Sequence, residues 1–239
     1  MSDESENITD LLENRLAKSP KLPLFSKQTQ NGQWSDVSAE DFQSEVCQIA
    51  KGLIASGIQP GQAVAIMSRT RYEWALVDFA IWYAGAVSVP IYETSSASQM
   101  EWILADSDSV ALFVENDDHA QRFAQVQANA PMVRQLWRFD DDSIVRLKRI
   151  GKEVSAETLE MRRKSAKLGD LATIIYTSGT TGRPKGCELT HRGFVELSKN
   201  AALELPQVLI EGHSTLLFLP LAHVFARFIS VLCVHSGIK

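Results

Sequence analysis

Apolar and polar positions along this chain change period repeatedly, and the changes predict an alternation of strands and helices. Two short runs, 23–27 and 33–37, flank Asn31-Gly32, a dipeptide suited to a tight hairpin turn. Ser38-Ala39-Glu40-Asp41 has the composition of a helix start. Phe42, Val46, Ile49, Ala50, Leu53 and Ile54 follow at helical spacing, and Gly57 suits the helix end. After the Pro60-Gly61 turn, the pattern predicts strands over 63–67, 86–91, 111–115 and 135–139, separated by helices over 72–83, 96–106 and 118–130. Residues 140–169 are charged and weakly periodic and read as a partly helical connection. The alternation resumes with a strand over 172–176, a helix over 192–205, a strand over 215–220 and a helix opening near His223. The expected fold class is therefore α/β: mostly parallel sheets flanked by helices, after a short N-terminal hairpin. The expected division is a first α/β lobe over 1–140, a charged connecting segment over 141–170, and the start of a second α/β lobe over 171–239.

Composition narrows the function classes. A formal charge of −5 argues against a nucleic-acid partner bound through bulk electrostatics. Cys47, Cys187 and Cys233 form no Cys-x-x-Cys pair; Cys47 and Cys233 sit in apolar patterns and read as small buried hydrophobes. A reducing, cytoplasmic setting is expected. Residues 1–13 are acidic and polar, without the basic start and apolar core of a signal peptide. The most apolar stretches, 74–92 and 216–234, are interrupted by Gly85 and Pro90 in the first and by Pro220, His223 and Arg227 in the second, so buried elements are expected rather than membrane spans. Peripheral contact with a membrane surface is left open.

The candidate chemistry lies in Tyr176-Thr177-Ser178-Gly179-Thr180-Thr181-Gly182-Arg183-Pro184-Lys185-Gly186, directly after the β-branched run 172–176. Glycines let a backbone approach an anion closely, the hydroxyls of Thr177, Ser178, Thr180 and Thr181 add donors, and Lys185 adds a mobile positive charge. A polyphosphate is the natural ligand, and Thr177, Ser178, Gly179, Thr180, Thr181, Gly182 and Lys185 are the nucleotide-binding candidates. The order fits neither a P-loop, since Pro184 precedes Lys185, nor the dinucleotide pattern Gly-x-Gly-x-x-Gly. Elsewhere, Trp74, Trp82 and Trp102 read as core or helix–sheet contacts, and Glu73 and Asp78 as surface or helix-end charges. His191 reads as a solvated or capping residue at a helix start, and Arg227 as an anchor for the helix that follows His223.

The glycine-rich segment resembles the signature phosphate loop of the adenylate-forming synthetases. Ala80-Ile81-Trp82-Tyr83-Ala84-Gly85-Ala86-Val87-Ser88-Val89-Pro90 and Phe218-Leu219-Pro220-Leu221-Ala222-His223-Val224-Phe225-Ala226-Arg227 are similar to further motifs of that family. Val89-Pro90-Ile91-Tyr92-Glu93-Thr94-Ser95 and Glu188-Leu189-Thr190-His191-Arg192-Gly193 look most like the bacterial long-chain fatty acyl-CoA synthetases. The resemblance implies ATP, Mg²⁺ and coenzyme A as cofactor and substrates, a fatty acid as the activated carboxylate, and a two-step route through an acyl-adenylate. It also implies that Thr177 lies near Mg²⁺ and that His223 borders the acyl and adenylate pocket, positioning or gating rather than transferring a proton. The family's later Tyr-Gly-x-Thr-Glu and Thr-Gly-Asp motifs and its C-terminal lid lysine do not occur in these 239 residues. The expectation is an N-terminal portion, inactive alone, whose unpaired sheet edge and exposed apolar surface favour self-association. No catalytic residue is assigned within it. Two other readings stay open: an adenylate-forming ligase for aryl, medium-chain or amino acids, and a non-catalytic nucleotide-binding module.

Overall fold

The computed structural model describes residues 3–29, 31–177 and 183–239. The chain begins with helix α1 (Ile8–Lys18), whose start the residue pattern conceals among acidic side chains. Asn7 and Asp10 form a reciprocal capping box there, and Ile8, Leu11, Leu12 and Arg15 turn inward at helical spacing. The hairpin follows as expected, with β1 (Pro23–Gln28) antiparallel to β2 (Trp34–Ser38) and Gly32 at φ 77° in the turn. Ser38 caps α2 (Ala39–Ala55) by accepting from the Asp41 N–H, and Gly57 (φ 88°) follows its end.

The main sheet is built from β3 (Ala63–Met67), β4 (Val87–Ile91), β5 (Ala111–Val114), β6 (Gln135–Arg138), β7 (Leu171–Thr177) and β8 (Lys185–Thr190), in the order β6-β5-β3-β4-β7-β8. The first five in sequence are parallel, and β8 is antiparallel to β7. Parallel neighbours need long crossovers. These are supplied by α3 (Tyr72–Tyr83), α4 (Ala97–Asp106), α5 (Asp117–Ala124), and the pair α6 (Ser143–Ile150) and α7 (Ala156–Arg163). Two further helices, α8 (His191–Glu204) and α9 (Val224–Ser236), complete the described elements.

Alternation along the central strands explains the layering. Val64, Ile66 and Phe113 enter a core shared with α1, α2 and α3, whereas Ala65, Met67, Leu112 and Val114 enter a second core with Met100, Ile103 and Leu104 of α4 and Phe123 of α5. Strands buried on both faces read as continuous apolar runs, which is why 63–67 and 111–114 were plain in the sequence.

Four expectations need correction. The strand expected over 215–220 is not a strand. Leu217 and Leu219 do turn inward, alternating with exposed Leu216 and Phe218, but among the described residues no strand pairs with them in a ladder. The segment is instead held by isolated bonds: Thr70 Oγ1 donates to the Leu219 carbonyl, the Leu221 N–H donates to Thr70 Oγ1, and the Thr215 N–H donates to the Lys239 carbonyl. Second, β7 and β8 do not open a separate sheet: Thr173 pairs with Ser88, so the sheet runs across the boundary expected near residue 170. Third, Asp78 is neither a surface nor a helix-end charge; it is buried in the middle of α3. Fourth, His191 is not solvated.

His191 is 1% exposed, and its Nδ1 accepts from the Ile8 N–H at 3.3 Å, tying α8 to α1. Burial, outweighing the nearby Asp170 carboxylate, pushes its pKa down to about 4. A base whose folded pKa is depressed binds fewer protons than in the unfolded chain, so its contribution is complete above about pH 6.5 and is lost as pH falls through about 4. Stability is expected to fall by up to about 3 kcal/mol across that window from this group. Urea unfolding at a series of pH values checks this, with His191→Gln expected to flatten the profile.

Candidate nucleotide site

Strand β7 leaves the core at its carboxyl end, the same edge of the sheet on which β3, β4, β5 and β6 end. Open parallel sheets bind ligands at that edge. Here β7 pairs antiparallel with β8 through the register Ile174↔Glu188, Ile175↔Cys187, Tyr176↔Gly186 and Thr177↔Lys185. Thr177 and Lys185 therefore close the segment between them as direct cross-strand partners, and both are exposed to solvent. Directly opposite residues in such a ladder lie roughly 4.5–5.5 Å apart at Cα. A hydroxyl and an ammonium group that stood eight residues apart in sequence thus emerge side by side. The candidates Ser178, Gly179, Thr180, Thr181 and Gly182 lie outside the described residues.

Gly186 is favoured by close approach rather than by an unusual backbone angle. A Cβ there would lie 2.9 Å from Ile174 Cγ2 and 3.2 Å from Tyr176 Cζ, so these two side chains of β7 crowd the place of the missing side chain. Tyr176 is buried, and its hydroxyl donates to Asp106 Oδ2 of α4 at 2.7 Å. Burial, with help from Asp106, raises the phenol far above its ordinary value, so it stays a neutral donor. On the far side of the segment, Trp102 Nε1 donates to the Pro184 carbonyl at 2.8 Å, and the Arg183 guanidinium stacks 4.6 Å from the Trp102 ring centre. Trp102 thus touches the candidate segment, a role that its position on an amphipathic helix did not reveal.

His223 stands apart from this pair. It is exposed and caps α9, its Nδ1 accepting from the Phe225 N–H at 3.2 Å. Among the described residues no hydrogen bond joins it to Thr177 or Lys185. One turn further along α9, Arg227 does reach β7. Its guanidinium donates to Asp78 Oδ2 at 2.8 Å and Oδ1 at 2.5 Å, and to the Thr173 hydroxyl. Ser88 Oγ donates to the same carboxylate at 2.5 Å, and Thr173 Oγ1 donates to the Ser88 carbonyl at 2.6 Å. The rings of Trp82, Trp74 and Phe194 surround the guanidinium, the nearest with its centre at 4.8 Å. This buried cluster binds α9, α3, β4 and β7 together four residues before Thr177, so the reading of Arg227 as an anchor holds. Its sequence signal was Asp78, the one carboxylate of α3 beyond the first turn.

The donor set suits an anion better than a bare metal ion. Thr177 offers one neutral oxygen, whereas Mg²⁺ keeps several waters and takes carboxylates or phosphate oxygens. Among the described residues no group of three His, Cys, Asp or Glu is placed to hold a metal, and no helix is long and apolar enough to cross a membrane.

The sequence profile of the AMP-binding enzymes matches residues 12–239. The chain belongs to the AMP-binding enzyme family. It is 41% identical over 238 residues to the long-chain-fatty-acid–CoA ligase FadD15 of Mycobacterium tuberculosis, covering 98% of this chain and 40% of that protein. The chain thus spans about 40% of the length of that relative. In fold it is similar to the inhibitor-bound N-terminal domain of FACL13 from the same genus and species, with a TM-score of 0.80 at 24% identity over 98% of this chain and 56% of that one. It is equally similar to the anthranilate CoA ligase AuaEII in complex with anthranoyl-AMP, with a TM-score of 0.80 at 19% identity over 100% of this chain and 44% of that one. These likenesses establish the α/β fold of acyl-CoA ligase N-terminal domains, and the fold alone does not choose the carboxylate.

Proposed function

We propose that this chain is the N-terminal portion of an AMP-forming long-chain fatty acid:CoA ligase, and that the Thr177–Lys185 segment grips the β- and γ-phosphates of ATP. A carboxylate oxygen attacks the α-phosphorus, the bond to the bridging oxygen breaks and pyrophosphate leaves, giving an acyl-adenylate. The coenzyme A thiolate then attacks the acyl carbonyl and AMP departs, leaving the thioester. The observation that carries the reading is the cross-strand pairing of Thr177 with Lys185 at the carboxyl edge of the parallel sheet. Negative charge moves onto pyrophosphate during the first step, and a fixed hydroxyl with a mobile ammonium group meets it there. Mg²⁺, supplied with the nucleotide, would neutralise phosphate charge, and Thr177 is the residue of this chain that would lie beside it. The acyl length is supported by the 41% identity with a long-chain ligase. Free Cys47, Cys187 and Cys233 suit a reducing, cytoplasmic setting.

The test is carboxylate-dependent ATP–pyrophosphate exchange by a full-length chain, run against long-chain, medium-chain, aryl and amino acid panels. Exchange with long-chain acids is expected; exchange with another panel alone replaces the substrate reading, and no exchange with any removes the ligase reading. Exposed Leu203, Val208, Leu216, Phe218 and Phe225 support self-association of the chain, which sedimentation velocity checks.

A further inference from the structure

Both described ends of the candidate phosphate segment are held by one helix that carries no candidate residue. Trp102 and Asp106 stand four residues apart on α4, a spacing that places them on one helical face. Asp106 receives the Tyr176 hydroxyl at the entry to the segment, and Trp102 donates to the Pro184 carbonyl at its exit. The Arg183 guanidinium over the Trp102 ring adds a third contact at the exit. Tyr176 is the cross-strand partner of Gly186, one position before the pair Thr177 and Lys185 in the same ladder.

We propose that Trp102 and Asp106 are positioning residues for the nucleotide phosphates: α4 holds Tyr176, beside Thr177, and Pro184, beside Lys185, and thereby sets where Thr177 and Lys185 meet the ligand. The inference rests on the phosphate reading above. It differs from ordinary packing in that the two side chains touch the segment through directed bonds, at both ends, from one rigid element. Preorganised donors lose effect when displaced by about an ångström.

The test uses a full-length chain carrying Trp102→Phe, Asp106→Ala or Asp106→Asn, with Trp34→Phe as an exposed control. Phenylalanine keeps a ring beneath Arg183 and removes the N–H donor; asparagine keeps an acceptor for Tyr176. In ATP–pyrophosphate exchange, KM for ATP is expected to rise about tenfold for Trp102→Phe and for Asp106→Ala. KM for the carboxylate should stay within about twofold of the parent, and Asp106→Asn should restore most of the loss. Equal rises in both KM values, or an unchanged KM for ATP beside a lowered melting temperature, would reduce the clamp to packing. Trypsin cleavage after Lys185 supplies a readout that needs no activity, since Pro184 protects the bond after Arg183. Several-fold faster cleavage is expected in Trp102→Phe and Asp106→Ala, and an unchanged rate overturns the proposal. Absence of exchange in the parent chain removes the ligase reading, while the cleavage rates still decide the clamp.

Discussion

Replacing Asp78 by alanine is expected to destabilise the fold by about 3–5 kcal/mol, because it leaves the Arg227 guanidinium buried without its counter-charge. Both side chains are almost fully inaccessible, at 4% and 1% exposure, so water cannot take the carboxylate's place. Burial raises the Asp78 carboxyl above its ordinary value, opposed by Arg227 and by the Ser88 hydroxyl. The pair is held by two directed bonds and continues through Thr173 into β7. A loss of that size is a large part of a typical domain's 5–15 kcal/mol and corresponds to a fall on the order of 10 °C in the unfolding midpoint. The double variant Asp78→Leu with Arg227→Met removes both charges and is expected to recover much of the loss. Calorimetric or fluorescence-monitored melting of the parent, Asp78→Leu, Arg227→Met and the double variant checks this; additive losses in the double variant would mean that the ion pair is not what holds this junction.

Lys185→Ala carries the second large effect. Lys185 is exposed at the start of β8, opposite Thr177, and the described bonds give it no structural partner that its loss would leave buried. In a full-length chain the change is expected to slow ATP–pyrophosphate exchange roughly 100- to 1,000-fold, the scale of removing one preorganised donor from a site of developing negative charge. The melting temperature should move little, since single exposed charges contribute little to stability. Lys185→Arg keeps the charge on a wider, planar group and is expected to restore the rate only in part.

The central layers were legible because both of their faces are apolar. β3 and β5 announce themselves as uninterrupted apolar runs, and α2 shows its buried face through Phe42, Val46, Ile49 and Leu53 at helical spacing, bracketed by Ser38 and Gly57. The elements that escaped lack such a face. α1 hides Ile8, Leu11 and Leu12 among acids, and only the Asn7 and Asp10 spacing marks its start. β8 is mostly exposed and exists through its ladder with β7 rather than through burial. Residues 215–220 show the opposite case: the alternation is right, but a strand needs a partner, and among the described residues none pairs with it. At the candidate site, the glycine-rich motif marked Thr177 and Lys185 as candidates, but their side-by-side placement needed the register of β7 and β8. The contribution of α4 was not legible at all, because Trp102 and Asp106 lie some seventy or more residues away from the groups they hold.

The most direct test of the account compares ATP with AMP on a full-length chain. If the Thr177–Lys185 pair holds the β- and γ-phosphates, Lys185→Ala should weaken binding of Mg²⁺-ATP by about tenfold or more in isothermal titration, while AMP, which lacks those phosphates, should bind as before. Equal losses for both nucleotides, or no loss for either, would contradict the assignment of this cross-strand pair to the polyphosphate.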